Sequence, residues 1–139
     1  MTKDKSTPTL LTTYKNLIKL ADEVKEKAYS PYSHYKVGAA ILTKDGSTFV
    51  GCNVENAAYG DTICAERSAI CNAVAHGCRP GDFEAIAIAS SGKDFSPCGS
   101  CRQVMQEFGS DVTVIFEFDG QITTMLLSDL LPKGFPKNV

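Results

Sequence analysis

Apolar residues near the amino end of the chain recur at the three- and four-residue spacing of one helix face. Between about Thr12 and Tyr29 these positions are Leu17, Leu20, Ala21, Val24 and Ala28, with lysine and glutamate between them. This period predicts an amphipathic helix, and Pro31 after Ser30 predicts its end. We expect residues 1–11, which precede the helix, to form a flexible tail.

The rest of the chain alternates between strand-like and helix-like patterns. Residues 36–43 and 48–54 read as strands, and Asp45-Gly46 between them predicts a hairpin. The later patterns predict a helix at 63–75 that ends at Gly77, a buried strand at 83–89, a helix at 98–108 closed by Gly109, strands at 112–118 and 121–125, and a short helix at 128–131. This order indicates one α/β domain over residues 1–139, with a mixed sheet and helices on its faces.

Composition and charge narrow the class of protein. Hydrophobic residues make up 43% of the 139 residues, which is enough for one core. The net charge of -2 and the lack of a Lys/Arg run argue against a nucleic-acid polymer as partner. No apolar stretch approaches the roughly 20 residues of a membrane helix. Residues 1–9 lack the apolar core of a signal peptide, so we expect a cytoplasmic protein without membrane contact.

In that compartment, six cysteines predict metal binding or burial rather than disulfides. Cys52, Cys71 and Cys78 have no ligand spacing, and we expect them to be buried as small hydrophobic residues. His34 and His76 are expected at the surface.

The other three cysteines have the spacing of a catalytic zinc site. Cys64 precedes Ala65-Glu66, and Cys98 and Cys101 form a Cys-x-x-Cys pair after Pro97. Three thiolates leave the fourth position of a tetrahedral zinc open for water, whereas structural sites usually close with four ligands. Both stretches begin predicted helices, where the thiolate form is favoured. The Cys-x-x-Cys pair alone would also fit a redox pair, and three buried cysteines without metal are the structural alternative.

Glu66 and Arg67 follow the first of these cysteines. Glu66 is placed to carry protons to and from an activated water, which points to hydrolysis or hydrolytic deamination. Away from a metal it would only be an acidic residue favoured by the helix dipole. Arg67 shares a helix face with Cys64, and a cation donating hydrogen bonds to sulfur would offset the negative charge of three thiolates on zinc. The alternative for Arg67 is a solvated surface arginine.

With these residues the chain resembles the small, homotetrameric, zinc-dependent cytidine deaminases that act on free nucleosides. The matching stretches are 31–40, 51–59, 64–69 and 96–103, and Leu130-Leu131-Pro132 with Phe135 matches the family's carboxyl end. The resemblance covers residues from about 14 to 136. It implies a three-layer sandwich with a mixed five-stranded sheet, one zinc ion per chain, Glu66 as the catalytic residue, and a homotetramer with sites shared across interfaces.

The resemblance also implies substrate contacts. Asn53 and Glu55 resemble the pair that binds the ribose 3′-hydroxyl. Tyr35 occupies the position of an aromatic ring, often Phe, that stacks near the pyrimidine, and the backbone around Ala65 is implied to hold the base. Phe135 resembles the aromatic residue that reaches a neighbouring subunit's site, although Gly134 stands before it in place of the commoner alanine.

We therefore expect hydrolytic deamination of cytidine and deoxycytidine to the uridines, with release of ammonia, as in pyrimidine salvage. A deaminase of another small substrate, such as a nucleoside antibiotic or a free base, is the first alternative. A polynucleotide-editing deaminase is disfavoured by the acidic balance, and a structural zinc module would need a fourth ligand. The small apolar residues Ala69, Ile70, Ala73 and Val74 are expected to permit close helix packing between subunits, or else to face the sheet.

Overall fold

The computed structural model describes residues 8–136, and the side chains of residues 12–136. Its helices are α1 (Pro8–Lys25), α2 (Ala65–Ala75), α3 (Gly99–Gln106) and the single turn α4 (Leu127–Leu130). Its strands are β1 (Val37–Thr43), β2 (Thr48–Cys52), β3 (Phe83–Ser90), β4 (Thr113–Phe118) and β5 (Gln121–Leu126). A 3₁₀ turn lies at Tyr59–Asp61. The predicted order of helices and strands is confirmed.

The strands form one mixed sheet in the order β2-β1-β3-β4-β5. β1 pairs antiparallel with β2 and with β3, β3 pairs parallel with β4, and β4 pairs antiparallel with β5. The hairpin between β1 and β2 turns through Asp45 and Gly46, and Gly46 takes the positive φ of 91° that such a turn favours. The predicted mixed sheet is therefore confirmed.

Helices cover the sheet on both faces, so the molecule has three layers. Side chains along each central strand alternate between the two faces, as β geometry requires. On one face, Tyr14, Leu17 and Ala21 of α1 pack over Ala87 and Ile115. On the other face, α2 and α3 pack over the cluster that contains Ile41, Ile86, Ile88, Val114 and Phe116. Burial on both faces explains why β1 and β3 read as nearly continuous apolar runs.

Two glycines let helices approach the sheet closely. A Cβ on Gly38 would lie 2.1 Å from the Ala21 carbonyl oxygen of α1, and a Cβ on Gly51 would lie 2.3 Å from the Ala69 amide nitrogen of α2. Both contacts are with backbone, which cannot move aside as a flexible side chain could. The position of α2 over β2 therefore depends on Gly51, and α2 carries part of the site.

Several predicted boundaries need correction. α1 begins at Pro8, so the expected tail is wrong for residues 8–11; residues 1–7 lie outside the described residues. Proline suits the first turn of a helix because its missing N–H is not needed there. α1 also ends at Lys25 rather than near Tyr29, because the Tyr29 N–H donates to the Asn53 carbonyl and the Tyr29 carbonyl accepts from the Glu55 N–H. Ile63, expected in α2, instead pairs with Val54 in an isolated bridge.

The small apolar residues of α2 face the sheet of their own chain. Ala69, Ile70 and Ala73 are buried in the core, and Val74 packs against it. Because Ala69, Ile70 and Ala73 are buried within their own chain, these three residues are not available for the packing between subunits that the sequence suggested. Among the described residues, no helix combines the length and the apolarity needed to cross a lipid bilayer.

Candidate active site

The candidate site lies at the sheet edge where β1 begins and where β2 and β3 end. Both β2 and β3 run antiparallel to β1, so their carboxyl ends share that edge. α2 follows β2 and α3 follows β3 in the chain, and each helix begins close to the edge. The partial positive charge of two helix N-termini therefore converges on one place.

Cys64, Cys98 and Cys101 meet between these two N-termini. Cys64 is the N-cap residue of α2 and Cys98 is the N-cap residue of α3, while Cys101 lies buried in the first turn of α3. Their three Sγ atoms all lie within 4.8 Å of one another. Sulfurs around a tetrahedral zinc, with bonds of about 2.3 Å, are about 3.8 Å apart. The three sulfurs therefore fit a zinc ion with a small closing movement.

The chemistry of the cluster favours an anionic sulfur. The Cys64 thiol has its pKa lowered to about 5, first because the Cys101 thiol hydrogen-bonds to its sulfur, and further because the Arg67 guanidinium lies beside it. The same hydrogen bond and burial raise the pKa of Cys101. Arg67 Nη2 donates to Cys64 Sγ at 3.6 Å and to the Thr62 carbonyl at 3.3 Å. Its buried Nε has no hydrogen-bond partner within the described part of the chain. A cation so placed offsets thiolate charge, as a metal held by three sulfurs requires.

Glu66 lies in the first turn of α2, beside the sulfurs. Its side chain is 2% exposed. Burial raises the pKa of its carboxyl to about 7, and the neighbouring Cys64 adds to the rise. A carboxyl with a pKa near neutrality can both accept and donate a proton at physiological pH, which is what general acid–base catalysis needs.

A cavity of about 210 Å³ opens next to Glu66 and the sulfurs. It is lined by Tyr35, Val37, Asn53, Thr62, Cys64, Ala65, Glu66, Phe95, Ser96 and Cys98. Four residues singled out from the sequence as site residues apart from the cysteines therefore share one cavity: Tyr35, Asn53, Ala65 and Glu66. Tyr35 packs closely against Gly92, where a Cβ would lie 2.6 Å from the Tyr35 hydroxyl oxygen.

Asn53 is buried and already bonded within the chain. Its Oδ1 accepts from the Val37 N–H at 2.9 Å, and its Nδ2 donates to the Tyr35 carbonyl at 2.9 Å. These bonds fix the start of β1 and the backbone of Tyr35. One N–H and one lone pair of the amide remain beyond them, so Asn53 can still contact a ligand in the cavity.

Glu55 lies in an adjoining cavity rather than in the one that holds Glu66. That cavity, of about 390 Å³, is lined by Tyr32, Ser33, Glu55, Asn56, Tyr59 and Thr62. The Glu55 carboxylate accepts from the N–H groups of Tyr32 and Ser33, at 3.0 and 3.1 Å, and from the Ser33 hydroxyl. These bonds lower the pKa of Glu55 and keep it ionised. Thr62 lines both cavities, so a ligand longer than one ring could reach from one to the other.

Phe135 lies apart from both cavities of its own chain. Phe135 is 76% exposed, and its backbone is hydrogen-bonded to the side chains of Gln103 and Gln106 of α3. Nothing within the described residues covers the ring.

The two histidines and the three cysteines outside the cluster were also predicted from the sequence. His34 and His76 are exposed as expected. Cys71 is exposed on α2, which contradicts its predicted burial, and Cys52 and Cys78 are partly buried. All six cysteines are free thiols.

Sequence reasoning missed several residues that shape the site. Phe95, Ser96 and Thr62 line the cavity of about 210 Å³, and no spacing or periodicity indicated them. Arg102 fixes the loop before the cysteine pair: its Nε donates to the Pro97 carbonyl at 2.7 Å, its Nη1 donates to the Leu130 carbonyl at 2.8 Å, and its Nη2 donates to the Ser96 hydroxyl. The sequence signal that could have identified Arg102 is its position directly after the metal ligand Cys101.

Three thiol ligands with a buried carboxyl beside a small cavity define a zinc-dependent site for acid–base chemistry. The sequence model of the cytidine and deoxycytidylate deaminase zinc-binding region matches residues 11–117. The chain therefore belongs to this zinc-binding deaminase family.

Individual relatives agree with that assignment. The chain is 47% identical over 122 residues to a cytidine deaminase of Halalkalibacterium halodurans, covering 86% of this chain and 91% of the relative. The crystal structure of cytidine deaminase from Burkholderia pseudomallei matches with a TM-score of 0.84 and 48% identity, covering 88% of this chain and 98% of that one. A weaker likeness, 30% over 131 residues, links the chain to a blasticidin-S deaminase of Bacillus cereus, covering 88% of this chain and 91% of the relative.

Proposed function

We propose that the protein deaminates cytidine and deoxycytidine hydrolytically, giving uridine or deoxyuridine and ammonia. The observation that carries the proposal is the buried Glu66 carboxyl beside three clustered sulfurs, in a cavity of nucleobase size. The names of the relatives support the choice of substrate.

The zinc ion would be held by Cys64, Cys98 and Cys101, and it would supply a water of lowered pKa at its open position. The Glu66 carboxylate takes the proton from the attacking water and delivers it to N3 of the pyrimidine. The hydroxyl adds to C4, and the same carboxyl then moves the second proton to the departing amino group. Each transfer restores the carboxylate, so one group serves both directions.

The remaining site residues bind and orient the nucleoside. Tyr35 offers a ring face to the pyrimidine, and the backbone at Ala65 holds the base. Asn53 and Glu55 bind the ribose 3′-hydroxyl between the two cavities that Thr62 joins. Arg67 lowers the charge of the thiolate cluster.

We also propose that the chain is one domain, that the working unit is a homotetramer, and that Phe135 completes a neighbouring copy's cavity. Support comes from the open cavity and from the exposed, backbone-anchored Phe135. Six free cysteines fit a reducing compartment, so we place the enzyme in the cytoplasm, in pyrimidine salvage.

A second candidate substrate is a nucleoside antibiotic, which the likeness to a blasticidin-S deaminase favours. The deciding experiment measures ammonia release from cytidine, deoxycytidine, cytosine, CMP, adenosine and blasticidin S with zinc-loaded protein. We expect turnover of the two cytosine nucleosides and little of the others. Preferred turnover of blasticidin S, or equal turnover of cytosine and cytidine, would overturn the assignment.

A further inference from the structure

The side chains of two glutamines hold the backbone of Phe135. Gln103 Oε1 accepts from the Phe135 N–H at 3.0 Å, and Gln103 Nε2 donates to the Phe135 carbonyl at 3.2 Å. Gln106 Nε2 donates to the same carbonyl at 2.8 Å. Both polar backbone groups of Phe135 are therefore satisfied by α3, as strand neighbours would satisfy them in a sheet.

This anchoring does not serve the core of the chain. The segment 131–136 contains no helix or strand, and Phe135 remains mostly exposed although its backbone is fixed. Pro136 follows Phe135 and favours an extended backbone there. The result is a large aromatic side chain projected from a fixed base into solvent.

The base is the same helix that carries two of the three metal ligands. Cys98 caps α3 and Cys101 lies in its first turn, while Gln103 and Gln106 follow in the next. Arg102 binds the carbonyls of both Pro97 and Leu130, which ties the cysteine loop to the start of the C-terminal segment. The direction of Phe135 is thus set by the element that positions the zinc ligands.

Gly134 makes room for one of these bonds. A Cβ at this position would lie 1.8 Å from Gln106 Oε1 and 2.6 Å from Leu131 Cδ2. An alanine here would displace the end of the Gln106 side chain and leave Gln103 in place. The chain therefore offers two independent ways to disturb the anchor, at Gln103 and at Gly134.

We infer that Gln103, assisted by Gln106, is a positioning residue for the deamination reaction, which fixes Phe135 so that its ring enters the substrate cavity of a second copy of the chain. This inference rests on the role proposed above for Phe135. Gln103 touches no substrate in this arrangement, and its effect on turnover passes entirely through Phe135.

A double-mutant cycle tests the inference with zinc-loaded full-length protein. Gln103→Ala should lower kcat/KM for cytidine by about threefold to tenfold, since two neutral hydrogen bonds are lost. The loss should appear mainly as a higher KM, because Glu66 and the cysteines are untouched. In a Phe135→Ala background, which keeps the backbone bonds, Gln103→Ala should lower kcat/KM by less than about twofold further. Gln121→Ala, on the exposed edge strand β5, is the matched control and should change little.

Two further measurements do not depend on activity alone. Release of the segment should speed tryptic cleavage after the exposed Lys133, which intact-mass measurement detects as a new carboxyl end. Zinc content should stay the same in every variant.

Gln103→Glu keeps the acceptor for the Phe135 N–H but loses the donor to its carbonyl, so its KM should fall between those of the parent and Gln103→Ala.

The outcomes separate this inference from the proposed function. Equal losses from Gln103→Ala in both backgrounds, with normal zinc, would overturn the positioning role and leave that of Phe135 intact. A fully active Phe135→Ala would remove the proposed role of Phe135, and the positioning role with it. If Gln103→Ala fails to fold, the same cycle is run with Gly134→Ala, and non-additivity with Phe135→Ala is again the supporting result.

Discussion

Glu66 lies buried in the first turn of α2, where loss of hydration raises the pKa of its carboxyl to about 7. A buried carboxyl that forms no ion pair is uncommon in proteins unless the residue has a function. Its position directly after Ala65, two residues from a ligand, was readable from the sequence. Its burial was not, because burial depends on how α2 packs against β1 and β2.

We predict that Glu66→Gln folds and retains zinc but loses turnover by about 10²- to 10⁴-fold, because an amide cannot carry the two protons. The measurement is kcat for cytidine together with zinc analysis of the purified variant. Glu23→Gln, at an exposed position of α1, is the matched control and should leave kcat unchanged. Activity within about tenfold of the parent would mean that another group moves the protons.

We predict that Cys64→Ala and Cys101→Ala each lose the zinc ion and lower the thermal stability, since metal binding contributes to the folding free energy. The measurements are metal analysis and the Tm with and without a chelator. Cys71→Ala is the control, because Cys71 is exposed on the same helix and lies outside the cluster. Full zinc retention by Cys64→Ala would exclude this ligand set.

We predict that Glu55→Ala erodes the preference for cytidine over free cytosine, because a site built to bind a hydroxyl rejects an analogue that lacks it. The quantity to measure is the ratio of kcat/KM for the two substrates. Glu55 also accepts hydrogen bonds from the turn at Ser33, so Ser33→Ala serves as the control that keeps the carboxylate. A Ser33→Ala variant with the same loss of preference would show that Glu55 only supports the turn.

At the scale of helices and strands, the pattern of apolar and polar residues predicted every α-helix and β-strand of the described chain, but not the 3₁₀ turn at Tyr59–Asp61, which buries no residue. The ends were harder to predict. α1 stops at Lys25 because Tyr29 pairs with the segment after β2, a contact between residues far apart in sequence. Ile63 leaves the helical pattern for a bridge to Val54 for the same reason. Local pattern carries no information on such pairings.

The candidate site likewise has features that local sequence signals predicted and features that they could not predict. Cysteine spacing and Glu66 were local signals, and they identified the residues that come together. That Glu55 lines a separate cavity, and that Asn53 is bonded to the start of β1, follow from how distant segments meet. Gln103 and Gln106 have an ordinary helical spacing, so only the structure relates them to Phe135.

We predict that Gly38→Ala is strongly destabilising, by about 1–3 kcal/mol or more, because its Cβ would meet the backbone of α1 at Ala21 and Lys25. Urea unfolding gives the free energy of unfolding. Gly60→Ala is the control, since no atom lies within 4 Å of its Cβ position. Equal stability of the two variants would show that α1 can shift away from β1 without loss.

At the scale of the whole molecule, three exposed tyrosines line the cavities: Tyr32, Tyr35 and Tyr59. Tyr29, Val54 and Ile63 are also exposed apolar residues. Tyr32 and Tyr59 form an edge-to-face pair with ring centroids 6.1 Å apart. Both rings line the cavity that contains Glu55. Exposed apolar surface of this kind marks an interaction site more often than a free surface. The deamination itself also needs water excluded from the base, and the described part of the chain provides no lid over either cavity.

We predict that the protein is a homotetramer whose Phe135 ring acts on a neighbouring chain. Light scattering at micromolar concentration should give four chains, and Phe135→Ala should lower activity while zinc is retained. The decisive measurement mixes two inactive or impaired variants. Glu66→Gln chains carry an intact Phe135, and Phe135→Ala chains carry an intact Glu66, so co-refolded mixtures should exceed the average activity of the two separate samples. A mixture with only that average activity would mean that Phe135 serves its own chain, and a fully active monomer would exclude the shared site altogether.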